Sequence, residues 1–327
     1  MNNPVLDPET QAFLDTIAGE PELLDDSESA IAEARRMIAT PYADEAKMPP
    51  VDIEDRDIPV GPKGNVSIRI VRPKNSQEML PVVMFFHGGA WIFCDKPSFD
   101  PILREIATGA QAAVVFVDYS LSPEVRHPIA LEECYAATQW IAEQGHALKL
   151  DPSRLAVVGD SAGGNLTIAV TLLAKERNGP ALSYQVLIYP STDGTKFDTE
   201  SYEQYAKGYF FTRVGAKQAW DLHVPDVTMR KIPTLSPLLA PIEQLRGLPP
   251  ALVITAECDP VRDEGEAYAR RLIQAGVPVV AIRYLSTIHP FVTLNPLVDT
   301  LPARAAIAQI ADSLRRAFAQ KPGPGPM

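Results

Sequence analysis

Six short, uninterrupted apolar runs recur from Pro81 onward, most of them separated by helical stretches: PVVMFF, AAVVFVDY, RLAVVGD, YQVLIYP, ALVITAE and VPVVAIRY. A strand with water on one face alternates apolar and polar residues, whereas a strand covered on both faces has no such alternation. The runs therefore predict an α/β architecture, a mainly parallel central sheet flanked by helices. Helical periodicity places the covering helices at Pro101–Gly109, Ile129–Glu143, Gly163–Glu176, Glu264–Ala275 and Pro302–Ala319. Ahead of the first run, Val51–Val60 and Asn65–Arg72 alternate and flank Gly61-Pro62-Lys63-Gly64, which predicts a hairpin. Many prolines sit beside the apolar runs, at strand starts and in the loops before them, where a missing N–H is tolerated.

Two stretches depart from the repeating pattern. Around Pro8–Ile17 and Ser27–Met37 the periodicity is that of amphipathic helices. From Ser191 to Gly247 no strand is expected, and Tyr202, Tyr205, Tyr209, Phe210, Phe211 and Trp220 fall at spacings compatible with two helices. An insertion after the carboxyl end of a strand in an open sheet lies over the crevice where ligands bind, so this stretch is expected to form a lid. The final KPGPGPM has no core-forming side chains and is expected to be a disordered tail.

Composition narrows the function. A net charge of −11 argues against nucleic acid or an anionic membrane as partner. No apolar run is long enough to span a bilayer, and MNNPVLDPETQAF has neither a basic start nor an apolar signal core. The three cysteines, Cys94, Cys134 and Cys258, are far apart and suit neither a disulfide framework nor a zinc cluster. The expectation is a cytoplasmic chain with no metal and no cofactor. Neither glycine cluster carries a P-loop lysine, which argues against nucleotide binding.

Gly159-Asp160-Ser161-Ala162-Gly163 fits the G-x-S-x-G pattern, and its setting matters more than the match. A strand-like run precedes it and a helix-like run follows, which is the strand–turn–helix arrangement of a nucleophile elbow. The chain must reverse sharply with Ser161 in a strained conformation, and a Cβ at 159 or 163 would crowd the adjoining strand and helix. The following helix directs the positive end of its dipole at the serine. His87-Gly88-Gly89-Ala90-Trp91 follows the first apolar run. Backbone N–H groups of Gly88 and Gly89, with that of Ala162, are the expected donors to a developing oxyanion. His87 is read as an anchor of that loop.

A serine nucleophile needs a base, and the chain has five histidines: His87, His127, His146, His223 and His289. His289 follows the last strand-like run, where a triad ordered serine, acid, histidine would place its base. The acid should follow Ala251–Ala256, where Glu257, Asp259, Asp263 and Glu264 stand. Asp259, followed by Pro260, suits a sharp loop at the strand end and is preferred over Asp263, which opens a helix as a dipole partner.

Together HGGAW at 87–91, DYSLSPE at 118–124, GDSAGG at 159–164, DPVRDEG at 259–265 and IHPF at 288–291 resemble the hormone-sensitive-lipase family of α/β-hydrolases, in particular its bacterial carboxylesterases. The resemblance runs from about residue 40 to 319. It implies a triad of Ser161, Asp259 and His289, and an oxyanion hole from Gly88, Gly89 and Ala162. It further implies N-terminal cap helices over 1–45, a catalytic domain over 46–190 and 248–320, a cap insertion over 191–247 and a tail at 321–327. A small ester hydrolysed through an acyl-enzyme is the implied substrate, and a homodimer through the last strand and helix the implied assembly. Two positions depart from the family: Ala90 stands where many relatives have a third glycine, and Pro290 follows the histidine. An aryl-formamide type of amide hydrolase is the alternative within enzymes. A small-molecule receptor on the same fold is the alternative outside them, and the retained His289 argues against it.

Overall fold

The computed structural model describes residues 4–19, 26–38 and 47–319. The expected tail at 321–327 lies outside the described residues. Eight strands form one sheet: β1 (Val51–Ile58), β2 (Val66–Pro73), β3 (Leu80–Phe86), β4 (Ala113–Asp118), β5 (Leu150–Asp160), β6 (Tyr184–Ile188), β7 (Ala251–Cys258) and β8 (Val279–Ile288). Their spatial order is β1-β2-β4-β3-β5-β6-β7-β8. Only β2 runs against its neighbours, pairing antiparallel with both β1 and β4; from β4 to β8 every pairing is parallel.

Period two explains why the central runs are continuously apolar. In β3, Val83 and Phe85 face one core while Val82, Met84 and Phe86 face the other. In β5, Ala156 and Val158 share the first core, and Leu155 and Val157 the second. Helices α3 (Lys96–Ala110) and α10 (Leu301–Ala319) close the first face. On the second lie α4 (Ile129–Gln144) and α5 (Ala162–Glu176), with α9 (Arg262–Gln274) packed beside α5. Phe85 is fully buried, so truncating it to alanine is expected to cost about 3–5 kcal/mol.

The hairpin forms as the alternation predicts, with Val51 opposite Pro73 and Ile58 opposite Val66. The helix expected from Pro101 begins five residues earlier, at Lys96. Asp95 accounts for that: its carboxylate accepts the Ser98 N–H at 3.1 Å and caps the amino end. The two N-terminal helices are α1 (Pro8–Thr16) and α2 (Glu28–Ile38). Between β6 and β7 there is no strand; the stretch holds α6 (Glu200–Gln204), α7 (Arg213–His223), α8 (Ile242–Leu245) and two short 3-10 turns. Thr199 and Thr212 cap α6 and α7. Among the described residues, no helix is long and apolar enough to cross a membrane.

Candidate active site

β5 ends at Asp160 and α5 begins at Ala162, so Ser161 alone turns the chain. Its backbone lies at φ 54° and ψ −117°, a conformation that a residue with a Cβ rarely holds. The turn is fastened from outside: Ser161 N–H donates to Ile188 C=O at 2.8 Å, at the end of β6. Space comes from the glycines. A Cβ on Gly163 would strike the carbonyl oxygen of Phe86 in β3, and one on Gly159 the carbonyl of Gly163 and the hydroxyl of Thr167. The crowding expected at both positions is what the structure has.

Three strand ends converge on this turn. β8 runs to Ile288 and delivers His289, whose Nε2 lies 2.8 Å from Ser161 Oγ. β7 delivers Asp259, whose Oδ2 lies 2.8 Å from His289 Nδ1. The other carboxylate oxygen of Asp259 accepts the Val261 N–H at 3.0 Å, which fixes its plane. All three side chains are buried, Asp259 completely. The ring of His289 packs against Phe211, stacked at 4.7 Å and 26°, and against Tyr189, tilted at 4.7 Å. The Pro290 departure leaves the imidazole in line with both partners.

The other acids near β7 have separate duties. Asp263 accepts the Ser201 N–H at 2.8 Å and pairs with Arg262 at 2.8 Å. Glu264 accepts the Thr192 N–H at 2.6 Å, and burial pushes its carboxyl well above the ordinary range. Glu257 accepts the Ser286 N–H at 2.7 Å. Of the other histidines, His87 is buried, stacks on Tyr119 at 4.1 Å and 8°, and is pushed down to about 4 by burial. Its Nδ1 lies 2.8 Å from the Gly88 carbonyl oxygen, and its own carbonyl accepts the Tyr119 hydroxyl at 2.7 Å. His223, at the end of α7, stacks on Trp91 at 4.6 Å and lies 2.9 Å from Ser122 Oγ; burial pushes it down to about 3.

The loop after β3 requires one correction. Gly88 N–H, expected to face an oxyanion, already donates to Asp160 Oδ1 at 2.8 Å. A Cβ there would meet the same carboxylate, so the missing side chain at 88 makes room for Asp160. Among the described residues, the N–H groups of Gly89, Ala90 and Ala162 have no protein acceptor. Gly89 and Ala90 both hold positive φ, 92° and 58°. Ala162, first residue of α5, has no intrahelical acceptor by position. Ala90 and Ala162 border the same cleft as Ser161, walled by Trp91, Phe211, Ala216, Ala219 and Trp220. The Ala90 N–H was not among the expected donors because only glycines were weighed in this loop, and a backbone N–H carries no side-chain signal of its own.

A family model described as alpha/beta hydrolase fold matches residues 83–293, about two thirds of the chain. The chain belongs to the α/β-hydrolases, in their hormone-sensitive-lipase-like family. Carboxylesterase NlhH of Mycobacterium tuberculosis is 36% identical over 318 residues, covering 96% of this chain and 97% of that protein. A thermostable esterase from Pseudomonas putida has a crystal structure with a TM-score of 0.88, 40% identity and coverage of 97% and 99%. A crystal structure of an esterase in complex with (S)-Ac-CPA has a TM-score of 0.92 and 41% identity, covering 97% of this chain and 99% of that one.

Proposed function

We propose that this α/β-hydrolase is a serine carboxylesterase for short-chain acyl esters, with Ser161 as nucleophile, His289 as base and Asp259 as the orienting acid. One observation carries the reading: the unbroken chain Ser161 Oγ–His289–Asp259, at 2.8 Å and 2.8 Å, buried and set at the ends of three strands. In this reading His289 takes the serine proton as Ser161 Oγ attacks the ester carbonyl. The resulting oxyanion receives the N–H groups of Gly89, Ala90 and Ala162, with the amino end of α5 behind them. Collapse expels the alcohol, which leaves with the proton from His289. Water, deprotonated by the same imidazole, then attacks the acyl-enzyme and releases the acid. Asp259 holds the imidazole with Nε2 toward the serine and stabilises the imidazolium.

The stretch 191–247 and the N-terminal helices serve as a cap in this proposal. Its support is the cleft wall: Phe211, Ala216, Ala219 and Trp220 all come from that stretch. An acyl chain gains about 0.8 kcal/mol per methylene only while it fits beneath these side chains, which favours short chains. Three free thiols support a reducing, cytoplasmic setting. A homodimer through β8 and α10 is supported by the edge position of β8 and the exposure of Val280 and Leu285. p-Nitrophenyl esters of graded acyl length, run beside the matching anilides, test the reading. Fastest turnover between acetyl and roughly hexanoyl supports it; faster anilide cleavage would make the protein an amidase.

A further inference from the structure

The carboxylate of Asp160 is a buried acid beside the triad that the triad leaves unused. It is 1% exposed and sits between two loops that are far apart in sequence. Oδ1 accepts the Gly88 N–H at 2.8 Å, from the loop after β3. Oδ2 accepts the Thr293 hydroxyl at 3.1 Å, from the turn that begins at His289. Thr293 Oγ1 in turn lies 3.1 Å from Tyr189 Oη, and the Tyr189 ring lies against the His289 imidazole. The carbonyl of Pro290 accepts the Thr293 N–H at 3.0 Å, so Thr293 and His289 ride on one tight turn.

The geometry points to Asp160 as a positioning residue that ties the loop bearing the Gly89 and Ala90 N–H groups to the turn bearing His289. One carboxylate thereby sets the donor half and the base half of the site together. The inference rests on the triad reading and deepens it. An ionised acceptor makes stronger bonds than a neutral amide, so the charge holds Gly88 more firmly than asparagine would. The fold accepts a cost for this: burial raises Asp160 from 3.8 to about 6, opposed by its bonds from Gly88 and Thr293 and by the nearby His289. Tyr189, Tyr119 and Cys94 also face it, and burial pushes each of them upward. As pH falls through about 6, Asp160 gains a proton and its hold on both loops weakens.

Asp160→Asn tests the tie, because the amide keeps the shape and loses the charge. Ester turnover is expected to fall about tenfold in kcat with KM changed less than about twofold, since small misplacements of reacting groups cost rate more than binding. The acid limb of the wild-type kcat profile should be steeper than a single proton, and in Asp160→Asn it should become a one-proton limb. Thr293→Val, which removes the Oδ2 bond and the Tyr189 contact but leaves Gly88 bonded, should lower kcat about threefold in the same sense, and it decides the matter if Asp160→Asn does not fold. Wild-type kcat and an unchanged acid limb in a folded Asp160→Asn, or in Thr293→Val where that variant must decide, would overturn the tie. Loss of the triad reading shows separately, as full activity in Ser161→Ala.

Discussion

The turn between β5 and α5, flanked by Gly159 and Gly163, and the loop after β3 both depend on glycine, and they use it differently. In the first, Gly159 and Gly163 are spaces: a Cβ at either meets backbone of the neighbouring strand or helix. In the second, Gly88 makes room for the Asp160 carboxylate and spends its N–H there, while Gly89 and Ala90 keep theirs. The difference is between a turn fixed by steric exclusion and a loop fixed by one ionised hydrogen-bond acceptor. A turn of the first kind resists any change of pH. One of the second kind depends on the charge that holds it.

Removing the reacting groups should have the largest effect. Ser161→Ala and His289→Ala are each expected to lower kcat by about 10⁶, the non-additive loss seen when a triad acts as a unit. Asp259→Asn should cost about 10⁴, because the imidazole then takes the wrong tautomer. Steady-state kinetics on a short p-nitrophenyl ester measures all three, and an unchanged rate in His289→Ala would remove it as the base.

The two loops can be set against each other directly with alanine. Gly163→Ala drives a methyl into the Phe86 and His87 backbone and should destabilise the fold by about 3 kcal/mol or more. Gly88→Ala meets chiefly the Asp160 carboxylate, with the Asp160 carbonyl oxygen farther off at 3.0 Å, so the fold should lose less while kcat drops about tenfold as Asp160 is displaced. Thermal unfolding beside kinetics separates the two, and equal loss of stability in both variants would erase the distinction.

The smallest effect concerns stability. A folded-state carboxyl raised to about 6 against 3.8 favours the folded state below pH 4, and that contribution is lost as pH rises through 6. Above pH 6 the buried charge is therefore a cost, of about 1–3 kcal/mol at roughly 1.4 kcal/mol per unit. Asp160→Asn should accordingly unfold at a higher temperature than wild type at pH 8, with the gain shrinking toward pH 4. Equal melting temperatures at pH 8 would mean that the charge costs the fold nothing.

These loops also mark how far a sequence can be read. The first five apolar runs and the 51–72 hairpin were legible because their signals are local: burial on two faces, or alternation about a turn. The sixth run, read as covered on both faces, instead forms the exposed edge strand β8. Ser161, Asp259 and His289 were legible because strand ends order them. Gly88 was misread because its partner, Asp160, lies 72 residues away, and a contact of that separation leaves no local pattern. The stretch 191–247 was read as two helices without finer detail; its 3-10 turns and the four-residue α8 are too short to show a period. Phe211 over His289 was likewise one aromatic among several until packing selected it.

The most direct test of the account is the site of covalent attack. A serine-directed organophosphate should inactivate the protein, and mass spectrometry of the digested product should place a single adduct on Ser161, absent after Ser161→Ala. An adduct on any other residue accompanying full inactivation would contradict the assignment of Ser161, His289 and Asp259 as the reacting unit.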